Sequence, residues 1–265
     1  MTRTDSLPVN HIPNTIAIEP YWKQHKKWPT SENTMLSQYD KDSVVVYQTV
    51  SKEVAAYGVK YQELIGSDGY AGLRKERKRW TRLPEIRHPV SIYPSFLGAQ
   101  YAWEWNSKIN EASIRQQRTL AIRIRREIYD EWLKMAKQDD GEELYDYDFC
   151  DNCRYPDYHW VFADASYKAR NMSLLTYCWI NDMYPVLPLD GSSPHQRLPR
   201  KVMRLLLRGS MVNQFVSPHT ILSIEDITPF VVEMRSRLTD HKSNIKDIWT
   251  PSERVYDSPL VNSLF

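Results

Sequence analysis

The chain reads as an α+β domain with a mixed central β-sheet and flanking helices, and three observations point there. Leu120, Ile122 and Ile124 alternate with Ala121, Arg123 and Arg125, and Met203, Leu205 and Leu207 alternate with Arg204 and Leu206, which is the period-two signature of strands. Phe96, Ala99 and Trp103, and then Ile128, Trp132 and Met135, recur at three- and four-residue spacing, as the apolar stripe of a helix does. Strand and helix signals interleave along the chain, so the helices are expected to flank one sheet. With 265 residues, 42% of them hydrophobic, one large domain is the expectation.

Residues 1–34 are rich in Pro, Asn, Thr and Lys, without helical or strand periodicity, and read as an arm pinned by Tyr21, Trp22 and Trp28. The domain proper is expected over 35–242. It opens with a strand at Ser43 to Thr49, where three valines lead into Tyr47-Gln48, a run suited to burial on both faces. A helix from about Lys52 should end at Gly58, and Gly66 to Gly69 reads as a turn. Pro94-Ser95 then opens the helix carrying Phe96. The strand Leu120 to Arg125 is followed by a helix from about Glu127 that Asp139-Asp140-Gly141 stops. The stretch from about 138 to 197 is acidic, tyrosine-rich and proline-broken, and reads as an irregular insertion. A strand over Lys201 to Arg208 and another over Thr220 to Ile224 come next. Thr228-Pro229 starts a helix through Met234, and residues 243–265 read as a tail docked through Trp249, Tyr256 and Phe265.

Lys and Arg number 35 against 33 Asp and Glu, so no global field draws the chain to nucleic acid or membrane. The sequence holds no apolar run long enough to span a bilayer and no secretory leader pattern at its start, and only three cysteines. These features set the expectation of an intracellular protein, cytoplasmic or nuclear, with no membrane partner. The one basic cluster, Arg74, Lys75, Arg77, Lys78 and Arg79 with Trp80, could hold phosphates and stack a base, or be a solvated face. Cys150 and Cys153 have zinc-knuckle separation, with His159 or Cys178 as further candidates, but a second pair is missing, so loop thiols and no metal are expected. GxGxxG, GxxxxGK, GxSxG and HExxH are all absent, which removes the usual dinucleotide, P-loop, serine-hydrolase and zinc-hydrolase arguments.

Several ordered blocks resemble domain-of-unknown-function family 4291 over roughly Gln38 to Arg235. Where that family reads WIKPSFLWMMYRSGW, this chain has Ser91 to Trp105, with Tyr93, Gly98 and Ala102 in place of the Lys, the second Trp and the Arg. Where it reads RSIQIGLRG, this chain has Lys201 to Gly209, with Arg204 in place of Gln. Gln116 to Ile124 and Ile224 to Pro229 match closely.

The order of Tyr47-Gln48 on an early strand, Ser95 before a helix and Glu225 after a late strand is, more distantly, similar to the ADP-ribosyltransferase fold. That resemblance implies NAD or a related nucleotide as ligand, and leaves open whether the chain transfers ADP-ribose to a nucleic acid or nucleotide. Glu225 would stabilise the positive charge that develops when the nicotinamide–ribose bond breaks. Ser95 would shape the nicotinamide pocket, Tyr47 and Gln48 would anchor the ligand, and Arg118 and Arg123 would take the phosphates. Gln48 stands where the superfamily has Arg or His. The alternative is a non-catalytic nucleic-acid or nucleotide-binding module, and capping explains Ser95 and Glu225 equally well.

Overall fold

A computed structural model describes residues 9–64, 90–102, 117–138, 174–185, 196–240 and 244–257. Its centre is a three-stranded antiparallel sheet. Strand β4 (Ser43–Ser51) pairs along its whole length with β6 (Gln117–Arg125), and β6 pairs on its other edge with β10 (Ile221–Asp226). A second sheet runs in the order β2 (Asn33–Thr34), β9 (Gln196–Leu207), β8 (Leu175–Tyr184), β7 (Lys137–Gln138), and β5 (Val90–Ile92) also pairs with β9. The β2–β9 and β7–β8 pairs are parallel and the others antiparallel, so the architecture is the mixed α+β one that the periodicities predict. Reciprocal backbone bonds between Tyr47 and Tyr93, at 2.7 and 3.0 Å, join the two sheets.

Alternation along the strands separates two cores. Val44, Val46, Leu120, Ile122, Ile124, Met203 and Leu205 face one side, where α2 (Lys52–Tyr61), α4 (Arg126–Met135) and α5 (Ser210–Val216) add Val54, Trp132 and Phe215. Val45, Tyr47, Ala121 and Val202 face the other, under α3 (Phe96–Ala102) and α6 (Thr228–Thr239). Four consecutive residues, Val44 to Tyr47, are fully buried because β4 has packed layers on both faces.

Some boundaries move. Helix α2 runs through Gly58, because Gly58 is buried against Leu64 and Ile224 and closes a packing contact rather than a helix. Helix α4 buries Tyr129, Trp132 and Leu133 and leaves Met135 about half exposed, so its stripe is turned from the expected one. It stops at Met135, where Ala136 is extended and leads into β7. Within the stretch expected to be irregular lies the ten-residue strand β8. Strand β10 reaches Asp226, which puts Glu225 inside a strand rather than after one, and α6 continues five residues past Met234. The Gly66–Gly69 turn, the basic cluster, Cys150, Cys153, His159 and Phe265 lie outside the described residues.

Both end segments are built into the sheet layers. β1 (Ile18–Pro20) pairs with β11 (Trp249–Pro251), β3 (Leu36–Ser37) pairs with β12 (Arg254–Val255), and α1 (Tyr21–His25) packs beside them. Tyr21, Trp28, Ile248 and Tyr256 are buried there, whereas Trp22 and Trp249 are only partly buried. No helix among the described residues is long and apolar enough to cross a membrane.

Candidate functional site

Strand alternation assigns the sequence-derived residues to opposite faces. Gln48 and Arg118 share the face covered by α2, whereas Tyr47, Arg123 and Glu225 share the other, since Tyr47 and Glu225 both stand opposite Ala121 and Arg123 lies two residues along β6. Tyr47 and Gln48, adjacent in sequence, therefore cannot line one pocket. Both are buried, and the Tyr47 hydroxyl and Gln48 Oε1 have no hydrogen-bond partner among the described residues. Burial holds the Tyr47 phenol well above its usual range.

Glu225 and Arg123 are tied to the N-terminal segment. The Glu225 carboxylate accepts the backbone N–H groups of Asn14 (2.6 Å) and Thr15 (2.8 Å) and the Thr15 hydroxyl (2.5 Å). Arg123 donates to Thr15 O (2.7 Å), Ser43 Oγ (2.6 Å) and Asp40 Oδ2 (3.1 Å). Glu233 on α6 repeats the pattern, accepting the N–H groups of Asn10 (3.0 Å) and His11 (2.9 Å). Burial pushes Glu233 up, but those two N–H donors and Arg237 outweigh it and hold the carboxyl below its usual range. A strap, residues 10–15, thus crosses the face where Glu225 would have to meet a ribose.

Ser95 sits at the start of α3 with its side chain inward, and its neighbour is a carboxylate that the sequence reading did not single out. Glu253, in the turn between β11 and β12, accepts the Phe96 N–H at 2.6 Å and shares a hydrogen bond with the Ser95 hydroxyl. Close by, Arg200 donates through Nε (2.8 Å) and Nη2 to the same Asp182 oxygen, through Nη1 to Pro29 O (2.7 Å), and lies over the Trp28 ring. Glu253, Asp182 and Arg200 are all buried. The signal was faint: an acid in a short Pro-Ser-Glu turn, and Asp182 and Arg200 on strands 18 residues apart.

The α2 face carries a groove. Among the described residues, Lys52, Lys60 and Arg118 rim a volume of about 310 Å³ floored by Ala55, Ala56 and Val59, with Asp226 the one carboxylate in the lining. Arg118 and Asp226 approach only to 3.9 Å, with side chains 31% and 28% exposed. A loose, half-solvated pair of that kind is worth at most about 1 kcal/mol, so Arg118 can exchange Asp226 for a stronger anion. Val59 in this lining and Tyr61 at the end of α2 are exposed. Among the described residues, no group of His, Cys, Asp and Glu is arranged to hold a metal.

Residues 34–148 match the family model described as Domain of unknown function (DUF4291). The chain is similar to this family over that stretch. No curated protein and no solved structure matches it. The DUF4291 stretch contributes every lining residue of the groove except Asp226, and it contains Tyr47, Gln48, Ser95 and Arg123. Glu225 and Glu253 come from outside it.

Proposed function

We propose that this chain binds NAD or a related nucleotide, with the phosphates held by Lys52, Lys60 and Arg118 in the groove on α2. The observation that carries the reading is the make-up of that groove: three cations on its rim, one loosely engaged carboxylate and an apolar floor. Phosphate recognition wants charge-assisted donors that are not already spent, and an apolar floor beside them suits a ring. The basic run of Arg74 to Arg79 follows α2 in the chain, which keeps a nucleic acid among the partners to be tested. ADP-ribosyl transfer, as the resemblance to ADP-ribosyltransferases implies, would require Glu225 to be released from Asn14 and Thr15. Binding is therefore the reading the geometry favours over catalysis.

Titration calorimetry with NAD, ADP-ribose and ATP at low and moderate salt tests it. Wild type should bind at least one of the three, more weakly as salt rises. R118A and K60E should each lower the affinity by about tenfold, the worth of one charge-assisted hydrogen bond. Absence of binding to all three, or equal binding by both variants, would overturn the proposal. Nicotinamide release from NAD, followed in the same samples, reports separately on transfer.

A further inference from the structure

Asp226 is placed by the strand that ends with it and by the helix that follows. It stands opposite Leu120 on β6, so its side chain shares the α2 face with Arg118, two residues back along β6. Glu225, one residue earlier on β10, stands opposite Ala121 and belongs to the other face. Asp226 Oδ1 accepts the backbone N–H of Thr228, the first residue of α6, at 2.9 Å. That bond holds the carboxyl at the edge of the groove. Among the described residues Oδ2 accepts no hydrogen bond, and Arg118 Nη1 lies 3.9 Å from it.

The groove follows one stripe of α2, since Lys52, Ala55, Ala56, Val59 and Lys60 recur in it at three- and four-residue spacing. Three cations and one carboxylate in that lining leave two net positive charges among the described residues. A phosphate that reaches Arg118 therefore comes to rest beside a carboxylate that cannot swing away without giving up the Thr228 N–H. The kind of phosphate then matters. In a diphosphate that bridges two groups each phosphate carries one negative charge, and the pair balances the surplus. A terminal monoester carries close to two at pH 8 and meets Asp226 as a like charge. A sugar hydroxyl next to a bridging phosphate instead donates to Oδ2, which is a charge-assisted hydrogen bond.

We propose that Asp226 is the specificity residue of this groove: it selects a nucleotide whose diphosphate leads on to a second, hydroxyl-bearing sugar, and it disfavours one that ends in a free phosphate. Oδ2 takes the hydrogen bond from the sugar, while the Thr228 N–H keeps the carboxyl in position to receive it. The inference rests on the nucleotide reading of the groove given above. It narrows that reading to sugar-bridged diphosphates, with ADP-ribose and NAD preferred over ADP and ATP.

The test is calorimetric titration of the full chain at pH 8 and fixed ionic strength with ADP-ribose, ADP and the β-methyl ester of ADP, which has the bridging charge but no second sugar. Wild type should bind ADP-ribose about tenfold more tightly than the ester, the worth of one hydrogen bond to a charged group. It should bind the ester about tenfold more tightly than ADP, the cost of the like charge. D226N keeps the shape and an acceptor for the Thr228 N–H but removes the charge and offers an amide N–H to a phosphate. In that variant ADP should bind about tenfold more tightly than in wild type, and the three affinities should draw together. ADP binding to wild type as tightly as ADP-ribose, or a preference that survives in D226N, overturns the inference and leaves the nucleotide reading standing. Failure of all three compounds to bind either protein overturns both. Should D226N fail to fold, the order of the three compounds on wild type decides the matter.

Discussion

Arg200 must be paired where it sits, because its whole side chain is 1% exposed and a guanidinium in such a place cannot reach water. Asp182 takes two of its N–H groups, Pro29 O takes a third, and Trp28 covers one face. Burial raises the Asp182 carboxyl, with Arg200 pulling against it. Desolvating both ions consumes most of the attraction between them, so the pair adds little net stability. Breaking it is costly. D182A should lower stability by about 3–5 kcal/mol, seen as a lower urea midpoint, because an unpaired cation is left buried. The double variant D182L/R200M, which removes both charges, should recover much of that loss. Equal destabilisation by single and double variants would show that shape, not charge, dominates the site.

At the scale of elements, β10 is the outer strand of its sheet among the described residues, and a side chain meets its free edge. Gln62 donates through Nε2 to Ile224 O (3.1 Å) and accepts the Ile224 N–H through Oε1 (2.8 Å), so its amide pairs with the strand as a peptide group would. It does so from a backbone φ of 56°, a conformation that costs a non-glycine residue about 1–2 kcal/mol and that these two bonds offset. Q62A should leave the Ile224 groups open to another chain and give concentration-dependent association by light scattering. If Q62A remains monomeric at every concentration, the amide is a local tether and not a guard. This device was invisible in the sequence, since nothing in Tyr61-Gln62-Glu63 marks a side chain that imitates a strand. β4, β6, β9, β10 and helices α2, α3, α4 and α6 are legible, because a packed face imposes a period on its residues, whereas the short helices α1 and α5 are not. β8 is not legible, because the prolines and acids around Leu174 to Ile180 outweigh the aromatic and β-favouring residues within it. The site residues are legible only as types: strand alternation, which parts Tyr47 from Gln48, is readable, whereas the meeting of the α3 start with Glu253 depends on a contact between Phe96 and Glu253, 157 residues apart.

Across the whole molecule, the N-terminal strap is held by Glu233 directly and by Asp40 through Arg123, and this sets its response to pH. Burial pushes Asp40 up, but the N–H groups of Asp42 and Ser43 and the Ser43 hydroxyl outweigh it and hold the carboxyl below its ordinary 3.8. Glu233 lies below its ordinary 4.5 for the like reason given above. Carboxyls lowered in this way stabilise the fold at neutral pH, and that contribution is lost as pH falls through their folded values. Mild acid should therefore release residues 9–15 to a protease before the core unfolds. E233Q, which removes the charge but keeps the shape, should show the same release at neutral pH. Cleavage that is insensitive to both changes would mean that Val9 and Ile16, both buried, hold the strap without the acids.

The pairing of β1 with β11 has a consequence for biosynthesis. Ile18 cannot meet Pro251 until more than 230 further residues have been made, and the bond from Ser252 to Glu19 spans 233. At typical elongation rates of about 5–20 residues per second, Tyr21 and Trp28 wait roughly 10 to 50 seconds on the ribosome without the surface that covers them. A nascent chain with its first aromatics uncovered for that long is a natural client for a holding chaperone, and the last strands to emerge are the ones that release it.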